Sequence, residues 1–302
     1  EASHSCELVS SPSQMPRAIE IAMRTAIQKQ GVAVLVIPGD VALAAAASEA
    51  AVKWAEVELP GVVPPGAEID RLAELLNGAG SITMLCGAGC AGAHDEVVAL
   101  AAALKAPIVH SLRGKDHVEH DNPYDVGMTG FIGFSSGYHA MRSADLLLML
   151  GTDFPYRQFY PADAKVAQID IRGENLGKRT RLDLGLVGDV GATLRRLAPK
   201  LTQKADDAFL KQAQDHYVKT RRDLDALAVG KSGSRSVHPQ YLAKVIDEVA
   251  SDDAVFTVDV GQTTVWAARY LHLPTPCPRR SAPRPPIRAG RWCRCPATAA
   301  SP

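Results

Sequence analysis

RGKDHVEHDNPYDVGMTGFIGFSSGYHAMRSADLLLMLGTDFPYRQFY, residues 113–160, decides how this chain is read. The apolar run Asp145 to Leu150 has the length of a buried strand. It is flanked by loops carrying Gly127, Gly130, Gly133, Gly137 and Gly151. Glycine lets backbone approach a ligand where a side chain would block it, so the segment reads as a strand between two ligand-facing loops. The aromatics on those loops suit a large, flat ligand.

Working outward, strand and helix patterns alternate. Glu68 to Asn77 is expected as a helix from the spacing of Ile69, Leu72, Leu75 and Leu76. There follow strand Ser81–Cys86, helix His94–Leu104, strand Pro107–Ser111, helix Gly137–Ser143, and strands Asp145–Leu150, Lys165–Ile171 and Leu184–Val187. Asp189 opens a last helix through Leu197. Such alternation predicts an α/β fold with a Rossmann-like parallel sheet covered on both faces and a ligand at the carboxyl ends of its strands.

Gly87-Ala88-Gly89-Cys90-Ala91-Gly92 follows the first strand and precedes a helix, matching the dinucleotide fingerprint in letters and context. An NAD site wants an acidic residue at the end of the second strand, where this chain has His110 and Ser111. A different adenine cofactor is favoured, with a plain tight turn as the other reading. Asp170 ends a strand and Asp189 starts a helix, so each carboxylate either holds a ribose or merely terminates or caps its element.

The remainder sets bounds. The chain has 302 residues, 46% of them apolar and 5% aromatic, which suffices for more than one core. Lys plus Arg equal Asp plus Glu at 33 each, so no net field draws the chain to nucleic acid or an anionic membrane. Six scattered cysteines form neither a disulfide framework nor a zinc pattern, and Cys293-Arg-Cys295 is too tightly spaced for a metal. No run approaches the ~18 apolar residues that span a bilayer, and the cytoplasm is the expected compartment. His4, His94, His110, His117, His120 and His139 stand beside no evident nucleophile; no catalytic residue and no metal ligand is assigned.

Both ends look unlike those of a whole domain. Ser11-Pro12-Ser13 is expected to cap a helix carrying Ile19, Met23, Ala26 and Ile27, stopped by Gly31. A buried strand, Val32 to Ile37, comes next and ends at Pro38-Gly39-Asp40. One helix and one strand read as the close of an α/β domain begun upstream. His238 is expected to open a helix through Val249, and strand Ala254 to Val258 to end at Asp259-Val260-Gly261-Gln262-Thr263-Thr264. From Leu273 onward Pro and Arg crowd a stretch lacking Asp, Glu and Lys, which builds no core and reads as a disordered or out-of-frame tail.

The segments CELVSS, PGDVAL, LCGAGCAGAH, APIVHSLRGKDHVEHDNPYDVGMTGFIGFSSG, LGTDFPY, QIDI, LVGDV, HPQYLA and DVGQTTVWAARYL resemble the bacterial pyruvate oxidases, the quinone-linked pyruvate dehydrogenases, over Cys6 to about Leu271. The long runs at 113–137 and 151–156 separate this group from acetolactate synthase, which shares the fold. The resemblance implies residues 1–40 as the end of a pyrimidine-binding domain, 41–66 as linker and 67–200 as a central FAD-binding domain. It further implies 201–235 as helical connector and 236–272 as the start of a diphosphate-binding domain, with 273–302 as the tail that composition marks off. It implies FAD contacts at Thr129, Gly130, Phe131, Ile132, Thr152, Asp153, Phe154, Pro155, Tyr156 and Asp170, with Gly87, Gly89 and Asp189 behind them. Gly261, Gln262 and Thr263 would help hold thiamine diphosphate.

The implied reaction is oxidative decarboxylation of pyruvate to acetate or acetyl phosphate and CO2, with electrons passing through FAD to quinone or oxygen. The implied assembly is a homotetramer. The family's thiamine-activating glutamate, Mg2+-binding segment and membrane-attachment segment have no counterpart here, so the chain reads as an inactive fragment. The alternatives are an acetolactate synthase-like enzyme with structural FAD and a non-catalytic fragment that binds FAD or another nucleotide.

Overall fold

The computed structural model describes residues 2–45, 61–230, 233, 236–251 and 254–272. The expected tail at 273–302, most of the expected linker, and Cys277, Cys293 and Cys295 lie outside the described residues. The chain divides into two compact units, 1–61 and 62–302.

In the first unit β1 (Ser5–Leu8) pairs in parallel with β2 (Ala33–Val36), joined through α1 (Met15–Lys29) and followed by α2 (Gly39–Leu43). Four details differ from the sequence expectation. Ser11 and Ser13 bond each other through their hydroxyls, and the cap of α1 falls to Gln14 after a single 3-10 turn. The left-handed residue ending α1 is Gln30 at φ 47°, whose N–H reaches back to Ala26 and Ile27; Gly31 is small because the His4 ring lies where its Cβ would be. The apolar run at 32–37 is not buried: Val32, Val34, Val36 and Ile37 are exposed, because among the described residues of this unit β1 is the strand's one ladder partner and α1 the helix that packs on it. Residues 41–43, expected as linker, complete α2.

The second unit is built on six strands: β3 (Ile82–Cys86), β4 (Ile108–His110), β5 (Asp125–Met128), β6 (Leu146–Leu150), β7 (Lys165–Asp170) and β8 (Leu184–Val187). All neighbours pair in parallel, in the order β5-β4-β3-β6-β7-β8. Alternation along the strands explains why helices cover both faces. Ile82, Met84, Leu146, Leu148, Ala167 and Ile169 pack on one face with α3 (Gly66–Gly78), α4 (His94–Leu104) and α7 (Val190–Leu197). Leu85, Val109, Leu147, Met149 and Val166 pack on the other with α6 (Ser135–Ser143) and Ala213 of α8 (Ala208–Asp225). A fold of this kind is α/β with a Rossmann-like sheet, as the alternating pattern implies.

The chain runs outward from β3 through β4 to β5, then returns to lay β6 on the other side of β3. The order reverses between β3 and β6, and doubly wound sheets open their ligand crevice outside the carboxyl ends at that reversal.

β5 and the short α5 (Lys115–Val118) are additions to the sequence reading. The expected strand at 254–258 is absent; among the described residues it has no neighbouring strand to supply a ladder. After α8 come α9 (Pro239–Val249) and α10 (Gln262–Tyr270), which pack on each other. Among the described residues no helix is long and apolar enough to cross a membrane.

Candidate functional site

The loops leaving β3 and β6 meet at the point where the strand order reverses. Gly89 donates its N–H to Gly151 O at 2.9 Å, and Gly87 donates to Leu150 O at 2.9 Å. A Cβ on Gly89 would lie 2.6 Å from Gly151 Cα, and one on Gly87 would lie 2.6 Å from Thr152 Cβ. Gly151 itself sits at φ 56° against Gly89. The fingerprint glycines therefore have a structural duty before any ligand-binding one: they let two loop backbones touch, and their amides are engaged within the protein.

The loop after β5 completes the crevice. Thr129 N–H bonds to His110 O, Gly133 N–H to Gly130 O and Phe134 N–H to Met128 O, forming a tight double turn. A Cβ on Gly130, which sits at φ 108°, would lie 3.4 Å from the rings of Phe154 and Tyr156. This close passage brings the 129–132 and 152–156 runs together. Phe131 stands edge-on to Tyr156 with ring centroids 4.5 Å apart and to Phe159 at 5.6 Å, yet is 66% exposed. Phe154 and Tyr160 form the buried base, where Tyr160 donates its hydroxyl proton to Phe154 O at 2.7 Å. Burial pushes the Tyr160 phenol above the usual range, so it stays a donor.

The expected polar residues are placed unevenly. Thr129 Oγ1 is buried with no hydrogen-bond partner in the protein, a group that a ligand atom would satisfy. Gln168 holds Thr152 O through its Nε2 at 3.2 Å, which fixes the loop after β6. Asp153 is turned toward Arg179 (2.7 Å) and Lys178 (3.2 Å). Its carboxyl pKa is lowered by hydrogen bonds from Arg179 and Lys178, which outweigh the opposing effect of burial. Asp170, at the end of β7, accepts from Arg172 N–H at 2.9 Å and from Asn175 Nδ2 at 3.4 Å. Burial raises its pKa, and a carboxylate with about four acceptor sites has room for ribose hydroxyls as well. Asp189 accepts Ala192 N–H at 2.8 Å and caps α7, the plainer of its two readings. Pro155 is exposed beside the aromatic wall, and Ile132 is half-buried against Met128 and Phe134.

The expected turn at 259–264 lies on the same unit. Gly261 has φ 132° with open space around it, Val260 is fully exposed, and the hydroxyls of Thr263 and Thr264 both donate to Asp259 O. Gln262 begins α10.

One cluster escaped the sequence reading. His110 Nε2 lies 3.4 Å from Asp125 Oδ1, with both atoms buried and lacking hydrogen bonds, and Glu119 is close by. Desolvation lowers the His110 pKa to about 4 and raises that of Asp125. Lys115, itself buried, pairs with Glu119. The signal was present as His110 at a strand end and Lys115 and Glu119 at helical spacing, but only the return of β5 beside β4 brings Asp125 to them. A separate cleft of about 510 Å3, lined by His94, His120, Asp121 and Tyr124 among others, contains none of the residues expected to touch a cofactor.

The fold defines a class, a doubly wound α/β domain whose loops gather at the switch point of its sheet. Residues 69–197 match the family described as "Thiamine pyrophosphate enzyme, central domain". Among curated proteins, the chain is 62% identical over 228 residues to an uncharacterized 42.6 kDa protein from the isoamylase 3' region of Pseudomonas amyloderamosa, covering 75% of this chain and 58% of the relative. It is 34% identical over 266 residues to YdaP of Bacillus subtilis (strain 168), whose name describes it as thiamine pyrophosphate-containing, covering 88% and 46%. It is 29% identical over 283 residues to an acetolactate synthase of Mycobacterium bovis, covering 89% and 45%. The chain thus spans about half the length of these relatives.

Proposed function

We propose that the crevice formed by 129–132, 152–156 and Asp170 binds FAD, in an enzyme that oxidatively decarboxylates pyruvate on thiamine diphosphate. The observation that carries the FAD reading is the meeting of two loops, one of which holds an unpartnered buried hydroxyl, Thr129 Oγ1, and an exposed ring, Phe131. In this reading Thr129 bonds the cofactor, Phe131 and Tyr156 pack against a flat ring, and Asp170 accepts from a ribose. Gly87, Gly89 and Gly151 keep the crevice floor thin, so that a dinucleotide can lie across the ends of β3 and β6. The chemistry a flavin supplies when bound is acceptance of two electrons, and that of thiamine diphosphate is loss of CO2 from a 2-oxo acid.

The turn at 259–264 fits a diphosphate group through the backbone N–H groups that open α10, since its threonine hydroxyls are engaged by Asp259 O. No Mg2+ ligand is assigned to the described residues. The final electron acceptor in this reading is quinone or oxygen, and the complete protein is a homotetramer with a cytoplasmic site of action.

A second reading is favoured by the names of several relatives: an acetolactate synthase-like enzyme in which FAD is structural. The two separate on products. With pyruvate, thiamine diphosphate, Mg2+ and FAD, the full-length protein carrying this sequence should reduce an artificial electron acceptor and release acetate or acetyl phosphate. Acetolactate formation without dye reduction would select the second reading.

A further inference from the structure

α10 carries a side chain back to the 129–133 loop. Arg269, next to last in the helix, donates Nε–H to Ile132 O at 3.0 Å and Nη2–H to Gly133 O at 3.3 Å. The adjacent Ala268 is buried against Met128 and Phe134. The end of the helix is itself fastened: Arg221 of α8 donates to Arg269 O, and Tyr270 OH donates to Leu224 O at 2.9 Å while accepting from Gln240 Nε2 at 3.0 Å. The Arg221 guanidinium also lies over the rings of Phe134, at 5.9 Å, and Tyr270, at 5.8 Å.

We infer that Arg269 is a positioning residue for the cofactor site: its fork fixes the 130–133 backbone in the form that aims Thr129 and Phe131 into the crevice. The inference rests on the FAD reading of that crevice. The physical argument is geometric. Two successive carbonyls at a tight turn have no secondary-structure partner of their own, and a planar guanidinium presents two donors at fixed spacing to both. Lysine, a compact ammonium with three rotatable donors on a flexible stem, presents no fixed fork to the two carbonyls. With both released, Phe131 has only exposed edge contacts to hold it and the loop samples other turns. α10 runs nine residues, roughly 13 Å at ~1.5 Å per residue, from the 259–264 turn to this clamp. The flavin loop is thereby tied to the segment proposed to bind diphosphate.

The test compares the whole chain with Arg269→Met, which keeps the apolar stem, and Arg269→Lys. Amide hydrogen exchange over residues 127–136, measured without ligand, should rise at least tenfold in R269M and by less in R269K, while β3 and β6 stay protected in all three. FAD titrated by flavin fluorescence should bind R269M about tenfold more weakly than wild type, with R269K between. Unchanged loop exchange in R269M overturns the inference whatever the flavin result. If loop exchange rises as expected but wild type does not bind FAD, the FAD reading fails, and with it the claim that the clamp serves that cofactor. A global loss of protection in R269M would move the decision to R269K, whose unchanged loop exchange also overturns the inference.

Discussion

At the scale of single residues, the proposed flavin site leans most on Phe131. A large ring that is 66% exposed, held edge-on by Tyr156 and Phe159, gains little by folding and much by covering a flat ligand. Phe131→Ala should leave the unfolding free energy within about 0.5 kcal/mol of wild type and weaken FAD about tenfold, read by chemical denaturation and fluorescence titration. A stability loss without an affinity loss would make the ring structural. His110 behaves in the opposite way, as a buried group whose consequence is for stability. Its pKa of about 4 in the fold lies below the ordinary 6.5, so between those values the unfolded chain takes up a proton that the folded chain refuses. Its contribution is complete above pH 6.5 and is lost as pH falls toward 4, up to roughly 3 kcal/mol. Asp125, with its pKa raised by burial, works in the other direction, holding its proton above the ordinary carboxyl range. Lys115 and Glu119 face the same site. Comparing unfolding at pH 7 and pH 4.5, His110→Gln should have a clearly shallower acid loss than wild type; an identical slope contradicts this account.

At the scale of elements, the glycine pattern and the strand pattern were both legible in the sequence, but for partly different reasons than the structure gives. Uninterrupted apolar runs such as Leu146–Leu150 announce a strand buried on both faces, and β6 is such a strand, with every residue buried. Asp125–Met128 does not announce itself, because Asp and Gly are poor strand formers; the ladder with β4 makes it a strand. The same dependence on a partner explains why 254–258 reads as a strand and is not one here. The fingerprint glycines were legible as close-approach positions, though what they approach is the opposite loop. Gly151→Ala carries that claim: its φ of 56° and the collision with Gly89 should cost roughly 2–4 kcal/mol in denaturant unfolding. Gly78→Ala, with nothing within 4 Å, serves as the control and should be near neutral. Equal stabilities would remove the packed-loop account of the crevice floor.

Across the whole molecule, the fold class could be read from the order of elements, since alternation leaves a parallel sheet few arrangements. The strand order could not, because nothing local tells β6 to return beside β3. That return sets 87–89 beside 151–156 at the carboxyl end of the sheet, where the 129–132 loop also lies. The clamp from Arg269 to Ile132 and Gly133 spans more than 130 residues of sequence and leaves no local signal. The central claim concerns that end of the sheet, and equilibrium titration of the purified chain with FAD and with FMN tests it most directly. The account predicts one FAD bound per chain with a change in flavin fluorescence, FMN at least tenfold weaker because it lacks the adenine half, and a loss of FAD affinity in Thr129→Val. Absence of flavin binding, or equal affinity for FMN and FAD with no effect of Thr129→Val, would contradict it.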